Sequence, residues 1–370
     1  MELMDQENLT KKFEEEYNKL KQKVQKPGIL LAGQTGVGKS SLVNHVFGDT
    51  VAITGVGKPI TQEIRCFENN ETSVRIYDTA GYETKDGGDD RFINDVLGMV
   101  KNPAQAEVNI IWYCISTLAS RVTDYDLKVI KAFSDSGCPV AVLLTKAEKT
   151  DDETVKALRT VLKQADEKLN IFETSIYAKE YDQTTKLIDW SIERLPEHLQ
   201  KAFISQQKLS FAQKRKYAKI AIAGHVVAAG AVGASPIPFS DAALLTGNEL
   251  ILLTELLYIY DMGGIKNAIK STFIGTLLSN LGKSAVGTIA KFFPGIGTAV
   301  GAIINASVAV AITWAFGGAI AMACEKYWKA KLNGEDTTDF VNKFASEVET
   351  FANENMAKKR TSEETIFNNL

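Results

Sequence analysis

The sequence has 370 residues, of which 45% are hydrophobic and 24% charged, enough length and apolar content for two globular domains with a sizeable core. Its 42 Lys and Arg against 45 Asp and Glu leave a formal net charge of -3, which excludes a generally basic surface; any anion site is a local device, and no nucleic-acid partner is indicated. Cys66, Cys114, Cys138 and Cys324 show no paired spacing, which argues against a disulfide framework or a zinc site and for buried free thiols. The opening stretch MELMDQENLTKKFEEEY is charged and lacks the apolar core of a secretory signal, so a cytoplasmic location is expected.

Residues 1–26 read as an N-terminal amphipathic helix. Phe13, Tyr17, Leu20 and Val24 recur at three- and four-residue steps among charged neighbours, and Pro27-Gly28 ends the pattern. From 27 to 203 short apolar runs alternate with helical stretches. ILLAG, EIRCFE, TSVRIYD, VNIIWYCIS, PVAVLLT and NIFETS read as strands, which predicts an α/β fold with a mostly parallel sheet covered on both faces. Asn69-Asn70 between the second and third runs predicts a tight turn and one antiparallel pair at an edge. From 204 to 330 the composition shifts to Ala, Gly, Ile, Leu and Val at helical spacing, an all-α hydrophobic domain. Residues 331–370 form a helical tail with an apolar stripe at Phe340, Phe344, Val348 and Phe351. Both end helices need an apolar partner, in the helical domain or in each other.

GQTGVGKSS places Gly33, Gly38, Lys39 and Ser40 as G-x-x-x-x-G-K-[ST], directly after a strand and before a helix, the pattern of a P-loop NTPase. Glycines let backbone N–H groups turn inward around phosphate oxygens, Lys39 reaches the outer phosphates, and the Ser40 hydroxyl ligates Mg2+. The candidate phosphate site therefore comprises Gly33, Thr35, Gly36, Val37, Gly38, Lys39, Ser40 and Ser41. A second GVGK at Gly55 to Lys58 fails the same test, because Ala52 stands where glycine is needed and Pro59 has neither hydroxyl nor N–H. It reads as an extended loop leading into EIRCFE. In that loop Thr61 is the candidate that presents its hydroxyl to Mg2+, with Thr54 and Thr50 competing for the role.

Three further strand ends complete the set. Asp78-Thr79-Ala80-Gly81 is a D-x-x-G arrangement in which Asp78 contacts Mg2+ through water and the Gly81 N–H senses the γ-phosphate. Thr145-Lys146-Ala147-Glu148 stands where N/T-K-x-D reads guanine, with Glu as its last residue. Thr174-Ser175-Ile176 stands where a backbone N–H meets the guanine carbonyl oxygen. Their order and strand-end placement predict a GTP/GDP site at the carboxyl edge of the sheet.

On these residues, Gly33 to about Ala178 resembles a small GTPase-type domain. GQTGVGKSSLVN, DTAGYE and IWYCIS resemble the Era-like and septin-like branch and the immunity-related GTPases. The remainder resembles bacterial GTP-binding proteins whose C-terminal domain carries a SPIPFSDAALL-like signature, here Ser235 to Leu245. The resemblance implies a Mg2+-dependent GTP switch. Three departures matter: Tyr82 replaces the Gln that orients water in Ras-like enzymes, Thr35 occupies a glycine position of enzymes that accept an arginine finger, and Gly36 stands where potassium-dependent relatives carry Asn. Slow hydrolysis, accelerated by dimerisation through the G domains, is the expectation; a GTP-gated scaffold without turnover and a membrane-inserting effector are the alternatives.

The glycines and charges of KDGGDDR, Lys85 to Arg91, fit either a segment that orders on the γ-phosphate or a solvated turn. His45, His198 and His225 are too scattered for a metal site. In the helical domain Ile220 to Ser240 and Phe292 to Cys324 carry no Asp, Glu, Lys or Arg, and the second contains Gly297 and Gly301 as G-x-x-x-G. Lys208, Lys214, Arg215, Lys216 and Lys219 precede the first; Tyr327, Trp328 and Lys329 follow the second, as interfacial anchors would. Pro236, Pro238 and Pro294 interrupt the runs. Association with membrane lipid and a tightly packed soluble bundle are both open on this reading.

Overall fold

The computed structural model describes residues 2–48, 58–59, 64–70, 72–79, 90–101, 107–233, 242–263 and 306–357. They divide into two compact units: 24–210, and 1–23 together with 211–370.

The first unit is built on a seven-stranded sheet. Its strands are β1 (Gly28–Ala32), β2 (Lys58–Pro59), β3 (Ile64–Phe67), β4 (Arg75–Thr79), β5 (Ile110–Ser116), β6 (Val140–Thr145) and β7 (Asn170–Thr174), in the order β2-β3-β4-β1-β5-β6-β7. β1, β5 and β6 are buried along their whole length, as continuous apolar runs flanked by helices on both faces must be. β1 lies between β4 and β5 and is parallel to both, which puts the turn after β1 in the middle of the carboxyl edge. The pairs β5–β6 and β6–β7 are also parallel.

The antiparallel edge expected at Asn69-Asn70 is present as β3 against β4. Asn69 closes the turn: its Oδ1 accepts from the Thr72 N–H at 2.9 Å, and the Thr72 hydroxyl donates to the Asn69 carbonyl at 3.1 Å. Lys58 and Pro59 are not merely loop; they form the outermost strand, antiparallel to β3 with Lys58 opposite Cys66. Pro59 lacks an N–H and is tolerated because an edge strand has one unpaired side.

Around the sheet lie α2 (Lys39–Phe47), α3 (Asp90–Lys101), α4 (Asp124–Asp135), α5 (Asp152–Ala165), α6 (Thr184–Arg194) and α7 (Glu197–Gln206). The acidic run TDDET opens α5 as its composition predicts: Asp151 is the N-cap and accepts from the Thr154 N–H at 2.8 Å. On one face Tyr113, Val129, Phe133 and Leu162 belong to a continuous buried cluster. On the other, Phe47 stacks on Trp112 at 5.8 Å and Phe203 meets Trp112 edge-on at 6.4 Å.

The second unit is helical: α1 (Glu2–Lys23), α8 (Phe211–Gly233), α9 (Ala242–Ile259), α10 (Ala306–Leu332) and α11 (Thr338–Ala357). The two end helices find partners here. Tyr17 of α1 is buried against Tyr258 of α9, ring centres 6.5 Å apart, and Phe340 of α11 packs on Tyr327 of α10 at 5.9 Å. Gly317 lets α8 and α10 approach closely, since a Cβ there would lie 2.6 Å from the Ile222 side chain. Glu325 is buried and satisfied: Arg215 donates twice at 2.8 Å and the Tyr260 hydroxyl once at 3.1 Å. Among the described residues no helix is long and apolar enough to cross a membrane. Both uncharged runs, and the Ser235 to Leu245 signature, extend into residues outside that set.

Candidate functional site

The turn after β1 has the conformation its glycines predict. Gly33, Gly36 and Gly38 have φ of 132°, 78° and 106°, a region that side chains disfavour. At Gly33 the requirement is doubled, because a Cβ would sit 2.2 Å from the Cys114 carbonyl oxygen of β5. Gly38 is the N-cap of α2, with no side-chain cap and no acidic residue in the first turn. The first amides of α2 thus keep their donor capacity for an external anion, and the helix dipole adds positive potential at the same place. The buried Lys39 side chain folds back over the loop, its Nζ donating to the Gly33 carbonyl at 2.9 Å and to the Gln34 carbonyl at 3.2 Å. Thr35, Gly36, Ser40 and Ser41 are exposed, while Val37 is buried.

Asp78 stands near the end of β4, beside β1. Burial pushes its carboxyl above the ordinary aspartate value, against the opposing pull of the Lys39 ammonium and the Arg65 guanidinium. Its Oδ1 is buried with no hydrogen-bond partner. An orphaned carboxylate oxygen near Lys39, with the Ser40 hydroxyl exposed at the head of α2, is a donor set of hard oxygens that suits Mg2+. Thr61 and Gly81, the other two residues expected around the metal and γ-phosphate, lie outside the described residues, as do Thr50, Thr54 and Tyr82.

The end of β6 is tied to the phosphate loop. The Thr145 hydroxyl donates to the Val37 carbonyl, and Lys146 Nζ donates to the Gly36 carbonyl at 2.7 Å. Lys146 is itself left-handed, at φ 59°, and starts a short 3-10 turn, Ala147–Lys149, that carries Glu148. Glu148 Oε2 is the second buried carboxylate oxygen without a partner. After β7, Ser175 is buried and its hydroxyl accepts from the N–H groups of Tyr177 at 3.2 Å and Ala178 at 2.9 Å. The Ser175 side chain therefore shapes its own turn, and Ile176 faces solvent.

These segments enclose a cleft of about 120 Å³ lined by Gly38, Ser41, Thr145, Lys146, Glu148 and Ile176 among others. Residues from three separate sequence motifs meet there. A roomier cleft of about 390 Å³ beside α4 and the end of α5 holds no comparable convergence of orphaned groups. Three lining residues are absent from the sequence-predicted site: Leu42, a buried residue of α2, Lys149, whose ammonium sits 5.4 Å above the Tyr177 ring, and Tyr177 itself. Lys149 adjoins Glu148 in the motif; nothing in the sequence around Tyr177 marks it.

A glycine-rich turn after β1, an aspartate near the end of β4 and the Glu148 turn after β6 stand at the carboxyl edge of a mostly parallel sheet with one antiparallel edge, which is the α/β fold of a P-loop GTPase. Residues 28–146 match the family model of 50S ribosome-binding GTPases. GTPase Era of Ectopseudomonas mendocina is 25% identical over 173 residues, which are 46% of this chain and 55% of that protein. The tRNA modification GTPase MnmE of Borrelia recurrentis is 32% identical over 132 residues, 35% of this chain and 27% of that protein. A solved structure of Era in complex with MgGDPNP and nucleotides 1506–1542 of 16S ribosomal RNA is 17% identical, covers 47% of this chain and 58% of its own, and has a TM-score of 0.33. The similarity to the curated relatives thus spans about half of their length or less.

Proposed function

We propose that the protein is a Mg2+-dependent GTP-binding switch that hydrolyses GTP slowly to GDP and phosphate and couples its nucleotide state to the helical unit. The observation that carries this is the orphaned Glu148 oxygen in a cleft walled on its other side by the phosphate loop. A buried carboxylate oxygen without a hydrogen bond is costly, and guanine offers the donors, N1–H and the exocyclic amine, that suit the half-buried Glu148 carboxylate. Adenine offers an acceptor at that edge and no such amine.

In this reading Lys39 leaves its two loop carbonyls to meet the outer phosphates, and the uncapped amides at the head of α2 bind the same oxygens. Thr35, Gly36, Val37, Gly38 and Ser41 complete the cradle, and Gly81 and Thr61 report the γ-phosphate. Ser40, Thr61 and Asp78, the last through water, would hold Mg2+, which when bound offsets the charge of the phosphates. Thr145 and Lys146 bracket the base, and the Ile176 N–H beyond Ser175 meets its carbonyl oxygen. Tyr82 cannot orient an attacking water, which supports a slow intrinsic rate raised by G-domain dimerisation. The resemblance to septin-like and immunity-related GTPases belongs to the same proposal.

Association with membrane lipid on the cytoplasmic side is the finer part of the reading. It is supported by the exposed Ile220 and Val227, two turns apart on α8, with the exposed Lys216 one turn before. The deciding experiment measures GTP hydrolysis by the full chain against protein concentration, with and without anionic vesicles. The proposal expects a low rate per molecule that rises with concentration. Absence of turnover under every condition, with GTP bound, would favour a non-hydrolysing scaffold.

A further inference from the structure

The turn that presents Glu148 is held from outside the nucleotide motifs. Lys146 lies in the left-handed region, at φ 59° and ψ 34°, a conformation that a side chain adopts only when its surroundings enforce it. The enforcing group comes from the end of β5. There the chain makes a short 3-10 turn, Thr117–Ala119, in which Thr117 is fully buried. Its Oγ1 lies 2.9 Å from the Lys146 carbonyl oxygen and 3.2 Å from that of Thr145, so that one proton is shared between the two peptides flanking the left-handed step. The same oxygen accepts from the Thr150 hydroxyl at 2.7 Å, which fixes the direction of the Thr117 proton.

Thr150 closes the arrangement from the far side of the turn. Its N–H donates to the Ala147 carbonyl at 3.4 Å, and the Lys149 N–H donates to the Lys146 carbonyl at 3.0 Å. At the near side the Thr145 hydroxyl and the Lys146 ammonium reach the phosphate loop, as described above. One unbroken set of hydrogen bonds therefore runs from Thr150 through Thr117 to the turn and on to Val37 and Gly36.

We infer that Thr117, oriented by Thr150, is a positioning residue for base selection: it holds the Lys146–Glu148 turn in the strained geometry that keeps the Glu148 carboxylate in the cleft. This rests on the reading of that cleft as a guanine site. Valine at 117 keeps the shape but has no proton to give, and both carbonyls lose their side-chain donor. The turn can then relax, and the aim of Glu148 suffers while the phosphate loop keeps its glycine-determined form. The consequence is a loss of discrimination between bases more than a loss of phosphate binding.

The test titrates full-length wild type, Thr117→Val, Thr117→Ser and Thr150→Val calorimetrically with GDP, ADP and inorganic tripolyphosphate, all with Mg2+. Loss of a buried donor predicts that Thr117→Val weakens GDP by about tenfold. ADP and tripolyphosphate should stay within about twofold, so the GDP-to-ADP preference falls by the same factor as GDP affinity. Thr117→Ser, which keeps the hydroxyl, should restore the preference. Thr150→Val, at a partly exposed position that need not disturb the core, should lower it by about threefold and carries the test alone if the valine at 117 prevents folding. An unchanged GDP-to-ADP preference in Thr150→Val and in any folded Thr117→Val, or failure of Thr117→Ser to restore it, overturns the inference. A wild-type chain that binds GDP no better than ADP overturns the guanine reading itself and this inference with it.

Discussion

Asp78 carries two consequences at the scale of a single residue. Its carboxyl is held above the ordinary value by burial, so the folded apo protein keeps a proton that the unfolded chain has already released. The folded state binds more protons across that window, and stability falls as pH rises from the ordinary aspartate range through the raised value. Asp78→Asn removes this penalty. Thermal melts of the nucleotide-free chain across the range from about pH 3.5 to about pH 7.5 should show the wild type losing more on the move to higher pH than Asp78→Asn, and equal losses would contradict the burial argument. The same variant should lose the Mg2+ dependence of GTP affinity, because the orphaned oxygen is then an amide. Asp78 and Glu148 were both legible from strand-end motifs. Thr117 was not, because its hydroxyl meets the Lys146 carbonyl only through the tertiary pairing of β5 with β6, and Lys149 and Tyr177 were not, because their contact forms only where the turns after β6 and β7 come together.

Elements were legible in proportion to their periodicity. Continuous apolar runs gave away β1, β5 and β6, and the Asn69-Asn70 turn gave away the antiparallel edge; the two-residue β2 has no pattern to detect and exists only through its pairing with β3. The amphipathic stripes of α1 and α11 predicted a need for partners, and Tyr258 and Tyr327 are among the residues that meet it. What the pattern could not show is the charge inside the helical unit. Glu325 is 1% exposed and joins α10 to α8 through Arg215 and to the residue after α9 through Tyr260. Glu325→Gln keeps the shape and leaves the guanidinium half satisfied. Breaking a buried pair on one side costs about 3–5 kcal/mol. Urea unfolding of the full chain, followed by tryptophan fluorescence, should show a transition shifted to lower denaturant, and an unshifted one would mean that the network contributes nothing net.

For the whole molecule, the division into 24–210 and 1–23 with 211–370 means that α1 and α11 belong to the helical unit although the first unit lies between them in sequence. A lipid-facing role for that unit makes a specific demand on α8. Ile220 and Val227 are 60% and 73% exposed, and burying such side chains is worth about 1.5–3 kcal/mol each, whereas the attraction of Lys216 is screened by salt. Wild type should therefore co-sediment with anionic vesicles and remain bound after a high-salt wash, and Ile220→Glu with Val227→Glu should not. Equal recovery of both in the supernatant would leave the helical unit as a soluble bundle.

The central claim is that one phosphate loop and one orphaned carboxylate make a guanine-nucleotide site. Calorimetric titration of the full chain with GTP and with ATP, repeated for Lys39→Ala and Lys58→Ala, tests it most directly. The account predicts saturable GTP binding at least about a hundredfold tighter than ATP, a value set by two unsatisfied donors or acceptors at the base edge. It also predicts severe loss in Lys39→Ala and near-wild-type affinity in Lys58→Ala. ATP binding as tightly as GTP, or equal losses from the two lysine substitutions, would contradict it.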